Sequence, residues 1–255
     1  MFEIKSLNEE QLQLCQNTIS SNTFFMLVGD ALDSGKSLSV VRMGDGEHTI
    51  MSATNKVDPI FQDDRSERLG CKGIDLASLQ NRLVRSANEC TYFAPSVSGL
   101  LRSDYELYKF FNKRDRYVDN FFCNSWTEEM IISLFVKAGH VLFIHCSTES
   151  ADAVQARAKW GLGVKVTYLK LCDWKQSDEI VKAASKINAP LTIFSAGPAS
   201  KYIGPEIART GNIAKVTLDI GNTSDHWLLP SLIDTHNKWD ETNMHLKPTF
   251  ELNKG

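Results

Sequence analysis

An α/β domain built on a mostly parallel β-sheet, with helices on both faces, is the fold that this sequence predicts. Short apolar, β-branched segments alternate with helical patterns along the chain, and this order implies crossover connections between parallel strands. The stretch Val141-Leu142-Phe143-Ile144 is apolar without interruption, which is typical of a strand covered on both faces. A chain of 255 residues can bury a sizeable core. We therefore expect a single domain with a Rossmann-like architecture.

The individual elements follow from local sequence patterns. Short apolar runs bounded by turn residues predict strands over residues 38–43, 90–94, 141–146, 164–169, 191–195 and 214–218. Helical spacing of apolar residues predicts helices over residues 23–32, 76–87, 127–138, 151–159, 177–186 and 199–209. Ser125, followed three residues later by Glu128, is a capping-box pattern that predicts the start of the third helix, and Gly139 predicts its end.

Composition and patterning divide the chain into three parts. Residues 1–22 are predicted to be a helical lead-in, residues 23–246 the main domain, and residues 247–255 a C-terminal tail. Apolar residues make up 42% and charged residues 23% of the chain, as in an ordinary globular protein. The net charge of −3 gives no general attraction to nucleic acid or to anionic membranes, so we expect no nucleic-acid partner.

The N-terminus and the cysteines bear on cellular location. Residues 1–5 lack the layout of a signal peptide, and no apolar run approaches the ~20 residues of a membrane span. The cysteines form no CxxC pair and lie in apolar segments, so we expect buried free thiols and a cytoplasmic protein.

An acidic loop after the first core strand is the main candidate site. The run from Ser39 to Met43 is followed by Gly44 and Gly46, which bracket Asp45. Glu47 comes directly after them. We expect both carboxylates in a tight loop at the carboxyl end of a strand, where open α/β sheets hold their ligands. Two neighbouring carboxylates repel each other, and Mn²⁺ or Mg²⁺ would relieve that repulsion. The alternative is a β-turn whose carboxylates cap the next helix or face water.

Two stretches carry a family resemblance. Residues 42–47 resemble the Arg-x-Gly-Asp-Gly-Glu motif of the GT-D-type glycosyltransferases, whose Asp-x-Glu element binds metal and a nucleoside diphosphate. The Gly-Pro pair at 197–198 and the Asp-Ile-Gly element at 219–221 resemble later motifs of that family, in the same order. Two features depart from the pattern: Asn222 stands where members usually have His, and the expected Gly/Asn/Asp-rich loop mid-chain is not visible.

The resemblance implies a role for each matching residue. Asp45 and Glu47 would hold Mn²⁺ or Mg²⁺, and Arg42 would pair with a phosphate or orient the carboxylates. Glycine lets backbone N–H groups approach phosphate oxygens, which suits both Gly44 and Gly46. Other candidates for contacts to the donor are Gln62, Ser125, Gly197, Pro198 and Asp219. For Gln62 a solvated helix start is an equal alternative, and Ser125 precedes a helix N-terminus that can attract an anion.

Transfer of a sugar to a hydroxyl generally requires a base that accepts the proton of the acceptor. Asp225 and His226 are the best-placed candidates, while Asp219 has the alternative role of ordering the loop. If the transfer retains the anomeric configuration, no such base is required.

Together these patterns favour a metal-dependent glycosyltransferase. The donor would be a nucleotide sugar, uridine-linked by family analogy, and the acceptor a glycan, glycolipid or glycoprotein, as in polysaccharide biosynthesis. The basic, Phe-containing run at residues 109–114 suits either a peripheral membrane contact at the inner face or a solvated helix. Two further hypotheses are a catalytically inactive nucleotide-sugar-binding module and a metal-dependent phosphohydrolase.

Overall fold

The computed structural model describes residues 8–53, 70–71, 73–97, 103–112, 114–146 and 163–221, with only the backbone described for Asp45, residues 103–106 and Glu128. The predicted helix over residues 151–159 and the candidate residues Gln62, Asp225 and His226 lie outside these ranges.

A six-stranded parallel sheet forms the centre of the fold, and two further strands form a small sheet that contacts it. In chain order the strands are β1 (Thr18–Ile19), β2 (Leu38–Arg42), β3 (Tyr92–Ala94), β4 (Tyr117–Val118), β5 (His140–His145), β6 (Lys165–Lys170), β7 (Leu191–Ser195) and β8 (Val216–Asp219). The large sheet has the order β3-β2-β8-β7-β5-β6, and all of its pairs are parallel; β1 and β4 form the small sheet, which contacts the large one through β3 and β4. The predicted α/β, Rossmann-like fold is thereby confirmed.

Helices connect the strands and cover the sheet. The α-helices among the described residues are α1 (Glu9–Gln16), α2 (Ser21–Ser34), α3 (Asp45–Ser52), α4 (Leu76–Glu89), α5 (Glu128–Ala138), α6 (Ser177–Ser185) and α7 (Gly197–Thr210). Short 3₁₀ segments occur at Ser103–Phe110, Phe122–Ser125 and Trp174–Gln176. Side-chain caps define several starts: Ser20 accepts from Thr23 N–H at α2 and Asp75 accepts from Ser78 N–H at α4. None of the described helices is long and apolar enough to cross a membrane.

The two faces of the sheet bury two separate apolar clusters, because neighbouring residues of a strand point to opposite faces. In β5, Leu142 and Ile144 belong to the cluster beneath α4 and α7, and Val141 and Phe143 to the cluster beneath α2 and α5. Helices therefore cover both faces, which explains why β5 is apolar at consecutive positions.

Most predicted elements coincide with observed ones; three predictions are corrected, and one pairing is new. The helix α5 is capped by Thr127, whose side chain accepts from Met130 N–H, and not by Ser125. The carboxylate-bearing stretch from Asp45 is not a loop but the first turn of α3. The pairing of β1 with β4 is not indicated by the sequence pattern. Finally, Cys146 and Cys172 are exposed, while the other four thiols are buried as expected.

The register of the strands brings distant parts of the chain to one edge of the sheet. Residue 40 of β2 pairs with residue 218 of β8, and residue 194 of β7 pairs with residue 219. The carboxyl ends of β2, β7 and β8 therefore lie side by side, which is where ligands of open α/β sheets bind.

Candidate functional site

The predicted site residues at 42–47, 197–198 and 219 gather at this carboxyl edge, whereas the Ser125 hydroxyl contacts Ser21 and Phe122. Arg42 ends β2, and Gly44 to Glu47 begin α3 directly after it. Asp219 ends β8, the strand hydrogen-bonded to β2. Gly197 and Pro198 begin α7 after β7, the neighbour of β8 on its other side. The structure thus brings together three segments that the sequence alone places far apart.

Arg42 is fixed by contacts to two neighbouring segments. Its Nε donates to Asn120 Oδ1 at 2.7 Å, and one terminal nitrogen donates to the Ile220 carbonyl. The guanidinium also lies over the Phe121 ring, 5.9 Å from its centroid. Among the residues that the structure describes, this guanidinium has no carboxylate partner. An oriented, half-buried cation of this kind is suited to an anionic ligand.

Asn120 was not a sequence-based candidate, yet it joins two parts of the site. It is buried, accepts from Arg42, and donates through Nδ2 to the Met43 carbonyl at 3.0 Å. Its amide therefore sets both the Arg42 side chain and the backbone that leads into α3. No sequence pattern marks it, because it lies after the two-residue strand β4.

Glu47 is the buried carboxylate of the acidic motif and is only 6% exposed. Its Oε2 accepts from Gly44 N–H at 2.9 Å, which caps the start of α3. Its Oε1 lies 3.8 Å from Lys201 Nζ. One oxygen thus performs the capping role considered from the sequence, while the other faces a cation inside the protein.

Lys201, one turn into α7, is the main feature that sequence reasoning missed. Its Nζ lies 2.6 Å from Asp219 Oδ2, and the two residues are 7% and 1% exposed. Together with Glu47 they form a buried cluster of two carboxylates and one ammonium, with a formal charge of −1. Burying such charges is costly unless each one is paired, so the arrangement requires good complementarity.

One oxygen of Asp219 has no partner among the residues that the structure describes. Its Oδ2 contacts Lys201 and accepts from the Arg42 backbone N–H at 3.4 Å, whereas its buried Oδ1 makes no hydrogen bond to them. A buried carboxylate oxygen without a partner is energetically costly and is the kind of atom that binds a cation.

Two of the described oxygen atoms are of the chemical type that binds a hard divalent cation. They are Asp219 Oδ1 and Glu47 Oε1, and Mg²⁺ is commonly held by one or two carboxylates together with substrate phosphates. Within the described ranges no group of three or more His, Cys, Asp or Glu side chains is arranged as a metal site. The Asp45 side chain is not among the described ones.

Other groups around the site are held by the protein itself. Burial raises the pKa of the Cys71 thiol to about 12, and the negative charge of Glu47 adds to this rise. The Ser125 hydroxyl contacts Ser21 Oγ at 2.6 Å and donates to the Phe122 carbonyl at 3.3 Å. Gly197 is exposed with φ +57°, and Pro198 is buried behind it.

Gly221 has a direct steric relation to Arg42. Its φ is +53°, and a Cβ placed there would lie 3.3 Å from the Arg42 guanidinium. A glycine at this position therefore serves both the turn after β8 and the close approach of the arginine.

These observations define a class: an α/β protein whose acidic, arginine-bearing site lies at the carboxyl edge of a parallel sheet. A family model for a GT-D fold-like domain matches residues 19–227. Because this match spans most of the chain, the protein belongs to the GT-D fold-like family, and membership favours a glycosyltransferase-related function. Comparison with curated proteins gives no match, and neither does comparison with solved structures.

Proposed function

We propose that the protein is a metal-dependent glycosyltransferase. It would move a sugar from a nucleoside-diphosphate donor, in which the nucleotide is UDP, to an acceptor hydroxyl. The observation that carries this proposal is the buried Glu47–Lys201–Asp219 cluster at the sheet edge where Arg42 also lies, with the Arg42 backbone N–H donating to Asp219. Negative and positive groups lie next to each other there, as recognition of a metal-bound diphosphate requires.

Arg42 would bind the diphosphate. Asn120 and the Ile220 carbonyl hold its guanidinium in place, so little side-chain freedom remains to be lost on binding. The Gly44 N–H already donates to Glu47, while Gly46 has no Cβ that would keep phosphate oxygens away from the first turn of α3. These groups would orient the bond between the donor sugar and the diphosphate.

Glu47 and Asp219, with Asp45, would hold Mn²⁺ or Mg²⁺. When bound, such an ion neutralises the charge that builds on the leaving diphosphate. Glu47 Oε1 and Asp219 Oδ1 would supply the hard oxygen ligands, and Asp45 begins the same helix turn as Glu47.

On the acceptor side we propose Asp225 or His226 as the base. Both come a few residues after Asp219, the site residue that ends β8 in the chain. A glycan, glycolipid or glycoprotein acceptor fits this chemistry. A cytoplasmic protein acting at the inner face of the membrane would meet such acceptors.

Calorimetry with UDP tests the donor site. Binding should require Mn²⁺ and disappear in EDTA, and a panel of nucleotide sugars should include one that releases UDP slowly in water and faster with an acceptor. Tight UDP binding without turnover of any donor would instead favour an inactive binding module. Release of inorganic phosphate would favour a phosphohydrolase. Absence of any UDP binding would reject the proposal.

A variant at Glu47 separates chemistry from fold. Glu47→Gln keeps an oxygen that can accept from Gly44 N–H, so α3 should remain capped. It removes the charge that a cation needs, and UDP release should fall by about 100-fold or more. The matched control is Glu206→Gln, a buried glutamate of α7 that pairs with Arg85 and Arg209, and it should retain transfer. Equal activity of both variants would contradict the assigned role.

A further inference from the structure

We propose that Lys201 is a positioning residue that serves as the built-in counter-charge of the cation site. Its ammonium spans Asp219 Oδ2 at 2.6 Å and Glu47 Oε1 at 3.8 Å. It thereby holds together two carboxylates that belong to different elements, β8 and α3. This inference rests on the proposed function in one respect, namely that a divalent cation binds at this edge of the sheet.

Burial gives the lysine its influence. All three members of the cluster are at least nine-tenths buried, so water screens their charges poorly. Without the ammonium, two buried carboxylates would face each other across the gap between α3 and β8. With it, the cluster has a formal charge of −1, and the partnerless Asp219 Oδ1 remains as the oxygen that can take a further cation.

Two opposing consequences follow for a divalent ion. Lys201 keeps the ligand oxygens in place before the ion arrives, which favours binding. The same ammonium repels an incoming Mn²⁺ at short range and therefore weakens its binding. A residue of purely structural importance would show only the first effect, because its loss would disorder the ligands. The counter-charge role predicts that loss of Lys201 strengthens the binding of the metal itself.

A calorimetric titration of the folded protein with Mn²⁺ alone measures the metal affinity without nucleotide or turnover. Lys201→Met should bind Mn²⁺ about ten-fold more tightly than the wild type. Lys201→Arg retains the charge and should bind as the wild type does. Lys215→Met is the matched control, because it removes another fully buried lysine that has carbonyl and not carboxylate partners, and its Mn²⁺ affinity should be unchanged. Unchanged or weaker binding by Lys201→Met, or an equal gain in Lys215→Met, would overturn the inference.

Thermal unfolding in EDTA provides a second arm that uses no metal. Lys201→Met should melt about 10 °C below the wild type, since it leaves two buried carboxylates without their cation. The double variant Lys201→Met/Asp219→Asn restores the formal charge of −1 and should recover most of that loss. If the double variant melts as low as the single one, or the single one melts as the wild type, the role of Lys201 is refuted. The two proposals can fail separately. If the melting test fails but the wild type releases UDP from a donor, the proposed function stands. If the wild type does not bind UDP, the melting test still decides the role of Lys201.

Discussion

Two buried lysines lie at opposite edges of the same sheet and have different surroundings. At the carboxyl edge, Lys201 is 7% exposed and contacts the carboxylates of Asp219 and Glu47. At the amino edge, Lys215 is 0% exposed and donates to the backbone carbonyls of Ile187 and Ala189. Burial lowers the pKa of Lys215, since nothing nearby favours its charged form as a carboxylate would.

A buried lysine therefore has a different role at each of the two edges. Lys215 joins the segment before β7 to the start of β8, because its ammonium donates to two backbone carbonyls of that segment. Lys201 instead contacts two carboxylates, and one of them has an oxygen with no hydrogen-bond partner among the described residues. We interpret the amino edge as a structural closure and the carboxyl edge as the binding edge.

Thiol labelling should give the largest contrast between the edges. Cys146 and Cys172 are exposed just beyond the carboxyl ends of β5 and β6, whereas Cys90 is buried before β3 at the amino edge. Burial also raises the pKa of Cys90 to about 11, which leaves little reactive thiolate. In the native protein a disulfide reagent should modify Cys146 and Cys172 about 10³-fold faster than the buried thiols, which react only on unfolding. Mass mapping of labelled peptides checks this, and fast labelling of Cys90 would contradict a closed amino edge.

Removing the carboxylate partner of Lys201 should lower the free energy of unfolding more than removing Lys215 does. Asp219→Asn leaves the Lys201 ammonium buried without its close carboxylate, and it should lower the free energy of unfolding by about 3 kcal/mol. Lys215→Met forfeits hydrogen bonds to carbonyls but also relieves a desolvated charge, so about 1 kcal/mol is expected. Urea unfolding of both variants measures the two losses. Equal losses would show that the two edges do not differ in this way.

The turn after β8 can be tested with two glycines of similar backbone conformation. Gly221→Ala and Gly35→Ala both place a Cβ at positive φ, +53° and +59°, which should cost about 1 kcal/mol each. Only the alanine at 221 would also contact the Arg42 guanidinium, because nothing lies within 4 Å of a Cβ at 35. Calorimetry should therefore show weaker UDP binding for Gly221→Ala alone. The same UDP affinity in both variants would argue against Arg42 as a phosphate ligand.

A smaller effect is expected from His140 at the amino end of β5. Desolvation lowers the pKa of its ring below 6.5, although the Asn188 carbonyl opposes this, and Lys165 and Lys215 add to the lowering. The folded state therefore prefers the neutral ring, and this preference stabilises the protein above pH 6.5. The stability is lost as the pH falls from 6.5 through the lowered pKa. Melting temperatures between pH 7 and about pH 5 should fall less steeply for His140→Gln than for the wild type; parallel curves would show that His140 does not contribute.

The sheet could be predicted because its strands carry their burial in the sequence itself. The run at 141–144 is apolar at every position, and turn residues bound each strand, so the six strands of the large sheet fall within two residues of their predicted limits. The start of α3 was placed too late because Gly44 and Gly46 indicate a turn; the structure shows that the helix already begins at Asp45, with Glu47 accepting from the Gly44 N–H.

The site could be predicted only in part. Arg42, Glu47 and Asp219 belong to recognisable motifs, and parallel pairing of β2 with β8 explains why they meet. Lys201 occupies a helix position where a lysine would ordinarily be exposed, and Asn120 follows a short strand, so neither has a local pattern that reveals its role. Their importance comes from partners that the fold, and not the nearby sequence, supplies.

The place of β8 in the chain has a consequence for synthesis of the protein. Arg42 and Asp219 are separated by 177 positions, and β8 inserts between β2 and β7 as the last described strand. A nascent chain that has not yet released β8 from the ribosome exposes the edges of β2 and β7 and lacks the Asp219 carboxylate. We therefore expect the sheet to be most prone to aggregation until late in translation, and the Asp219–Lys201 pair to form only when that strand has closed the sheet.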